Sequence, residues 1–418
     1  MGESTYVRPL RTDRSGQPHP LKLHMDVPLV LAVVTLVLFG LLMVYSASWD
    51  YFLTYTDLGE DYIISRQVLW ALLGLVIAFA ISRVDYRRYT KLVVVAMLLT
   101  LGLLAFVAMA GRVPGLPSRS VFTSGSGQPS EFAKLMIVIY LSVWINARKD
   151  TFNNLSLGMV PLTAIIGITA GLILIQPDFS AAFTVVILGG VMFFLAGGDL
   201  RKIFIILLGT AAFGSLVVLV VQYAQNRLLQ FWKGLLSPLE ANYQVLRSIE
   251  AVARGGVFGV GIGNSVTKAN GLPVPWTDSI YAVIVEETGL VGGLIVLGLF
   301  LLIAWRGFRI AQRTPDFLGK LLASGITFWI TFEALVNIGV ILNLIPVLGN
   351  PLPFISAGGS SMLATMTGVG ILLSINRQTS LKNFSSEGRS FSAVINLRRG
   401  DGRGRVPRAS RRRGARAR

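Results

Sequence analysis

The 418-residue chain contains no cysteine and few charged residues for its length. Without cysteine it can form neither disulfide bonds nor thiolate metal sites. Only 14% of its residues are charged and 53% are hydrophobic, whereas a soluble chain carries about 25% charged residues. The N-terminus also lacks the short apolar stretch and small-residue cleavage site of a removable signal peptide. Together with a mean hydropathy of +0.65, these features indicate a chain that resides in lipid.

Long apolar runs predict how the chain crosses the membrane, because about 20 apolar residues span the hydrocarbon core as a helix. The hydropathy favours an all-α integral membrane protein with about ten transmembrane helices. The predicted spans lie near residues 27–46, 68–82, 92–110, 131–147, 157–175, 179–197, 203–221, 280–304, 319–345 and 357–375.

The distribution of charge predicts the orientation of the spans. Basic residues precede the first span and follow the second, fourth and sixth, whereas the first loop on the opposite side is acidic. By the positive-inside rule both termini are cytoplasmic, and one large external loop, about residues 222–279, joins spans seven and eight. The predicted parts are a cytoplasmic segment (1–25), a polytopic membrane domain (26–376) and a basic cytoplasmic tail (377–418).

The predicted tail carries most of the net charge of +17. It is rich in glycine and arginine and has no apolar periodicity, so we expect it to be disordered. Anionic lipids of the cytoplasmic leaflet would attract it by roughly 1 kcal/mol per basic residue. Membrane lipids, rather than nucleic acid, are therefore its predicted partner.

Three carboxylates, Asp278, Glu286 and Glu287, lie at or inside the start of an otherwise apolar span. Charges at this depth are costly and usually face a cavity or a partner. Glu286 and Glu287 point in different directions on a helix, so at most one should face a cavity. Lys268 adds a cation ten residues before Asp278. The sequence thus predicts a polar site at the external side.

Two further external segments favour the same site. The segment of about 111–130 is long for a turn and contains Arg119, and the broken, proline- and glycine-rich segment 343–361 carries hydroxyls and glycines suited to lining a cavity. A glycine run at 255–265 leaves two alternatives open, a cradle for a lipid-linked diphosphate or a re-entrant connection.

Several blocks of the sequence occur in an order that resembles the SEDS family of RodA-, FtsW- and SpoVE-like proteins. These are VYSAS (44–48), QPSEFAKL (128–135), QPDFSAAF (176–183), YQVLRSIEAVARGGVFGVGIGNS (243–265), LPVPWTDSIYAVIVEETGLVGG (272–293) and NPLPFISAGGSS (350–361). The resemblance covers roughly residues 26–376 and is closest in general character to RodA.

This resemblance implies an enzyme of the bacterial plasma membrane that polymerises lipid II into peptidoglycan strands with its active site facing outside. It also implies a class B penicillin-binding protein as partner, acting in elongation, division or sporulation. Two alternatives stay open: a lipid II flippase or other transporter, and a scaffold that has lost its chemistry. Val274 and Trp276, which replace the family's glutamate and histidine, are consistent with the last.

Lipid II polymerisation needs a sugar hydroxyl to attack an anomeric carbon, and Asp278, where the resemblance puts the family's essential aspartate, is the predicted general base. Arg119, Lys134 and Lys268 are candidates to neutralise the leaving diphosphate. A divalent cation, Mg²⁺ or Mn²⁺, held by carboxylates is an alternative way to neutralise the diphosphate. The sequence shows no recognisable metal-ligand spacing. The remaining predicted substrate-binding residues are Gln128, Glu131, Thr277, Glu286, Glu287, Ser356, Gly358, Gly359 and Ser360.

Some of these polar residues also have structural interpretations. Glu131 and Lys134 are three residues apart on a predicted helix and could pair with each other instead of contacting substrate. Glu333 and Asn337 are predicted to hold helices together.

Overall fold

The computed structural model describes most of the predicted membrane domain. It covers residues 25–55, 62–111, 127–199 and 221–398, together with residues 201–202, 204, 208–209, 214–215 and 219. Its α-helices are α1 (Val27–Tyr55), α2 (Tyr62–Arg83), α3 (Val93–Ala110), α4 (Pro129–Ala147), α5 (Val160–Ile175), α6 (Phe179–Leu195), α7 (Gln222–Leu236), α8 (Tyr243–Gly255), α9 (Val266–Ala269), α10 (Ile280–Arg313), α11 (Phe317–Ile341) and α12 (Gly359–Arg398). Short 3₁₀ turns at Tyr86–Lys91 and Pro238–Glu240 and a π turn at Leu155–Met159 complete the order.

These helices confirm the predicted all-α membrane fold. Seven of them, α1 to α4 and α10 to α12, are long and apolar enough to cross a membrane, and α5 and α6 are shorter apolar helices. The predicted span at 203–221 lies largely outside the described residues. The count of about ten spans and the cytoplasmic location of both termini stay predictions.

The core of the fold lies between α11, α12 and their neighbours. Helix α12 packs along α2, and α11 packs against α10, α4 and α6. Trp329 of α11 is fully buried, whereas α2 and α3 present leucines and valines on their outer faces. This outward apolar surface is what lipid tails accommodate without cost.

Helix α10 contains a break at Gly289, whose backbone (φ 74°, ψ −178°) is not helical. The glycine run 255–261 packs against this break: the N–H groups of Val260 and Gly261 donate to the carbonyls of Glu286 and Glu287, each at 3.0 Å. In return, the N–H of Leu290 donates to the carbonyl of Gly256 at 2.9 Å. The run is therefore a backbone connection that satisfies an opened helix turn.

The last helix continues through Arg398, past residue 376, where the sequence places the end of the membrane domain. Residues 399–418 lie outside the described residues. The predicted domain boundaries and the disorder of the tail stay predictions.

Candidate active site

Asp278 lies just before α10, at the end of the bundle where α6 and α10 begin and α11 ends. Its side chain is half-buried and faces a polar cleft of about 80 Å³. The cleft is lined by Pro177, Asp178, Phe179, Ser180, Arg227, Gln244, Asp278 and Gly349. Ligand pockets commonly measure roughly 300–1,000 Å³, so this cleft is smaller than a typical ligand pocket.

The backbone of Asp278 is held by α11. Asn337 Nδ2 donates to the carbonyl oxygen of Asp278 at 2.9 Å and to that of Asn350 at 2.7 Å. Asn350 Nδ2 in turn donates to the carbonyl of Glu333, one helical turn before Asn337, at 3.3 Å. The predicted helix-holding role of Asn337 thus includes the positioning of Asp278.

Gly349 forms the floor beneath the Asp278 carboxylate. A Cβ atom built at Gly349 would lie 3.0 Å from Asp278 Oδ2, closer than side-chain carbons ordinarily approach. The Ser180 hydroxyl shares its one proton between the carbonyl of Gly349, at 2.9 Å, and Asp178 Oδ1, at 3.0 Å. A glycine at this position therefore lets the carboxylate sit against the backbone.

The segment 343–361 packs against the turn that contains Asp278, and its Ser356 bonds to Thr277 of that turn. The Ser356 hydroxyl donates to the carbonyl of Thr277 at 2.7 Å, and Ala357 N donates to the carbonyl of Trp276 at 2.8 Å. Gly358 N donates to Gln67 Oε1 at 3.2 Å. These contacts are structural, and the substrate-binding roles of Thr277, Ser356 and Gly358 stay predictions.

Gly359, at the start of α12, lies against α2. A Cβ atom there would be 2.6 Å from Trp70 Cε2, so only glycine allows this approach. The next residue, Ser360, accepts a 3.2 Å hydrogen bond from the backbone N–H of Gln128. Both residues help to join α12 to its neighbours beside the site.

Asp178, the second carboxylate of the cleft, is buried and accepts four hydrogen bonds. Gln128 Nε2 (2.6 Å) and the Ser130 hydroxyl (2.8 Å) donate to Oδ2, while the Ser180 hydroxyl (3.0 Å) and the N–H of Ala181 (3.2 Å) donate to Oδ1. The bond from Ala181 caps α6. Asp178 therefore ties α4 to α6 and shapes the cleft wall.

Lys134 does not line this cleft. Its ammonium is fully buried and donates to Glu131 Oε1 at 2.9 Å and to Glu333 on α11. The pairing of Glu131 with Lys134 that the sequence left open is thus observed. These three charges link α4 to α11, and direct substrate contact by Glu131 or Lys134 stays a prediction.

Lys268 and Glu287 form a second buried ion pair, 3.1 Å apart. Lys268 Nζ also donates to the carbonyls of Ser46 and Gly263, at 3.0 and 2.8 Å. The Ser46 hydroxyl donates to Glu287 at 2.6 Å. This cluster, Lys268–Glu287–Ser46, attaches the large loop to α1 and α10 and is not part of the cleft lining.

Glu286 fastens the same loop from the neighbouring position. It accepts hydrogen bonds from the Ser265 hydroxyl and from the N–H groups of Val266 and Thr267, at the start of α9. The two adjacent glutamates point in different directions, as the sequence predicted, and each binds the loop rather than lining the cleft. Their predicted substrate-binding roles remain untested.

Of the eight described residues that line the cleft, only Asp278 was among the residues predicted from the sequence. The charged or amide side chains that were missed are Asp178, Arg227 and Gln244. Asp178 lies inside the block QPDFSAAF, and its presence in that block could have marked it as a candidate site residue. Arg227 and Gln244 are on α7 and α8, whose distance from Asp278 in sequence gives no hint of proximity. Predicted Arg119 lies outside the described residues. No group of three or more His, Asp or Glu side chains converges as a metal site in the part of the chain that the structure describes.

A bundle of apolar helices with a polar cleft at one end, lined in part by the long loop, defines a polytopic membrane protein. Residues 27–381 match the model of the FtsW/RodA/SpoVE family of cell cycle proteins. The chain belongs to this family, as its ordered sequence blocks predicted.

Curated relatives and solved structures agree with that assignment. Stage V sporulation protein E of Bacillus subtilis is 37% identical, with 84% of this chain and 97% of that protein covered. A probable peptidoglycan glycosyltransferase FtsW of Trichlorobacter lovleyi is 38% identical, covering 84% of this chain and 93% of that protein.

Among solved structures, a chain of a peptidoglycan synthase complex that coordinates polymerization and crosslinking matches with a TM-score of 0.69 and 28% identity. This match covers 85% of the present chain and 99% of the other. The rod shape determining protein RodA of Thermus thermophilus matches with a TM-score of 0.61 and 27% identity, over 86% and 98% of the two chains.

Proposed function

We propose that this chain is a peptidoglycan glycosyltransferase that polymerises lipid II into glycan strands, with Asp278 as general base. Relatives named peptidoglycan glycosyltransferases and a match to a peptidoglycan synthase complex support the enzyme class. The observation that carries the catalytic proposal is the placement of Asp278 in a polar cleft at the end of the helix bundle, with its backbone carbonyl bonded to Asn337 of α11 and its carboxylate close to Gly349.

The reaction follows from the chemistry of the two substrates. The 4-hydroxyl oxygen of one sugar attacks the anomeric carbon of the other and forms the new C–O bond. The bond between that carbon and the diphosphate oxygen breaks, and its electron pair leaves with undecaprenyl diphosphate. Asp278 accepts the hydroxyl proton. A single displacement on an α-linked donor gives a β-linkage by inversion.

The site works at the outer face of the plasma membrane, where the positive-inside rule puts the Asp278 end of the bundle. A class B penicillin-binding protein is the proposed partner, in line with the synthase complex that the chain resembles. Relatives carry both FtsW and SpoVE names and the structural matches include RodA, so elongation, division and sporulation all remain open. A divalent cation remains an alternative means of neutralising the diphosphate.

The test uses purified protein with its partner transpeptidase and labelled lipid II in detergent. General-base catalysis contributes about 10²–10⁴-fold, so Asp278→Asn should lose polymer formation by that factor. Glu250→Gln is the matched control, because this acid lies on α8 of the same loop and pairs with Arg247 and Arg254 at the surface. Full activity of Asp278→Asn contradicts the general-base role. Lipid II crossing a bilayer without polymer would indicate a transporter, and neither activity a scaffold.

A further inference from the structure

The leaving diphosphate requires a cation. Of the three candidates from the sequence, Arg119, Lys134 and Lys268, the two lysines form ion pairs with glutamates instead. Lys134 is buried between Glu131 and Glu333, and Lys268 lies in the Lys268–Glu287–Ser46 cluster. Neither lines the Asp278 cleft.

Arg227 of α7 is the basic residue that lines this cleft among the residues described. Its Nη1 atom donates to the carbonyl of Val347 at 2.8 Å. Val347 is two residues before Gly349, on which the Asp278 carboxylate rests. The segment 347–349 therefore contacts both the guanidinium and the carboxylate and keeps them at the same cleft.

The chemistry of the guanidinium fits the group that leaves. Arginine presents a planar fork of N–H donors that matches phosphate oxygens, and its charge is permanent. Asp178, the other carboxylate of the cleft, already accepts four hydrogen bonds. As Asp278 takes up the hydroxyl proton it becomes neutral, while the leaving oxygen becomes negative. At that point the negative charge near the Arg227 guanidinium is mainly that of the diphosphate.

We propose that Arg227 binds the diphosphate of the lipid-linked donor and stabilises its departure. The proposal rests on the proposed function and adds a substrate-binding residue to it. It also gives α7 a role: this helix carries the cation to a site whose base comes from the turn before α10.

The experiment measures binding of geranylgeranyl diphosphate, the corresponding monophosphate and the alcohol to the purified full-length protein in detergent. Arg227→Gln should weaken diphosphate binding about tenfold or more, because it loses charge-assisted hydrogen bonds to the phosphate oxygens. The preference for diphosphate over alcohol should fall with it. Arg227→Lys keeps the positive charge but loses the planar fork of N–H donors. Its diphosphate affinity should lie between that of the unaltered protein and that of Arg227→Gln.

Arg247→Gln is the matched control, because Arg247 belongs to the same loop but pairs with Glu250 at 2.7 Å and does not line the cleft. Its diphosphate affinity should equal that of the unaltered protein. Equal diphosphate affinity in Arg227→Gln overturns the proposal, as does an equal loss of diphosphate and alcohol binding. If thermal unfolding shows that Arg227→Gln does not fold, Arg227→Lys decides, and unchanged diphosphate affinity in that variant overturns the proposal.

This readout does not require polymerisation, so the two proposals can fail separately. Diphosphate binding that depends on Arg227, in a protein that forms no polymer from lipid II, would refute the proposed function and leave the role of Arg227 intact. Normal polymerisation, with unchanged kcat and KM in Arg227→Gln, would refute the role of Arg227 alone.

Discussion

Asn337 donates a hydrogen bond to the backbone carbonyl of Asp278, so the site's acid is attached to a helix that begins and ends far from it in sequence. The same amide bridges to the carbonyl of Asn350, at 2.7 Å. One side chain of α11 thus sets the relative position of the Asp278 turn and the segment that contains Gly349. Positioning of this kind matters because a misplacement of about 1 Å can cost 10²-fold in rate.

Replacement of Asn337 by leucine should therefore lower both activity and stability. Both carbonyls lose their donor, which costs about 1–3 kcal/mol in unfolding free energy, while kcat should fall about 10²-fold through misplacement of Asp278. Polymerisation rates and thermal unfolding in detergent measure the two effects. Thr331→Val, which removes a hydroxyl bonded within the same helix to Thr327, is the control and should leave kcat unchanged. A normal kcat in Asn337→Leu would contradict the positioning role.

Gly349→Ala should displace the Asp278 carboxylate. The added methyl would lie 3.0 Å from Asp278 Oδ2, so either the carboxylate or the 347–349 backbone must shift. We expect kcat to fall about tenfold or more, since reacting groups must be held within a fraction of an ångström. Gly298→Ala is the control, because nothing lies within 4 Å of its added carbon. Equal activity of the two variants would show that the site tolerates the shift.

The sequence predicts the all-α membrane fold, and it singles out Asp278 as a candidate, because both signals are local. Apolar runs determine the spans, and a carboxylate at the edge of one stands out without knowledge of its neighbours. The contacts of the two candidate lysines, in contrast, involve residues that are distant in the sequence. Lys134 meets Glu333 across 199 positions, and Lys268 meets Ser46 across 222.

The position of Arg227 at the cleft also depends on tertiary structure and could not be predicted from the sequence. The apolar spacing of α7 can be read from the sequence, but its approach to Asp278 depends on the path of the whole loop 222–279. Lysines near an acid in sequence were therefore the more obvious candidates for the diphosphate. The structure shows that the tertiary contacts of those lysines are with buried glutamates.

Lys134→Met should destabilise the protein strongly. It would leave Glu131 and Glu333 buried without their cation, and removal of one partner of a buried ion pair costs about 3–5 kcal/mol. Glu333→Gln should cost much less, because the triad holds two carboxylates to one ammonium and the change leaves one matched pair. Thermal unfolding in detergent tests the difference. If Lys134→Met unfolds normally yet loses lipid II binding, Lys134 contacts substrate rather than supporting the fold.

Asp316, outside the membrane-spanning segments, should make stability depend on pH. Burial alone would raise its pKa, but hydrogen bonds from Tyr86 (2.6 Å), Arg87 (2.8 Å) and the N–H of Gly319 (3.1 Å) lower the pKa below its ordinary value. A lowered pKa in the folded state gives stability that is present above the unfolded pKa of about 3.9 and lost as pH falls through the folded value.

Asp316→Asn should accordingly lower the melting temperature at neutral pH, and its deficit should shrink as the pH falls below about 4. Tyr86→Phe removes one of the donors that lower the pKa of Asp316, so the folded pKa moves toward the unfolded value. The loss of stability with acid should therefore be smaller in that variant and should be complete at a higher pH. Melting curves in an acid-stable detergent give both results. A deficit in Asp316→Asn that is constant over the whole range would mean that the carboxylate charge contributes nothing.

Lys268→Met should loosen the large loop while leaving the core helices intact. The ammonium joins the carbonyls of Ser46 and Gly263 to the Glu287 carboxylate, so its removal leaves a buried acid unpaired and frees the loop from α1. Amide hydrogen exchange should rise in residues 243–269 and stay unchanged in α11, because locally unprotected segments exchange first. Lys320→Met, at an exposed position on α11, is the control and should exchange normally. Unchanged protection of the loop in Lys268→Met would mean that the glycine run and Glu286 hold it without the ion pair.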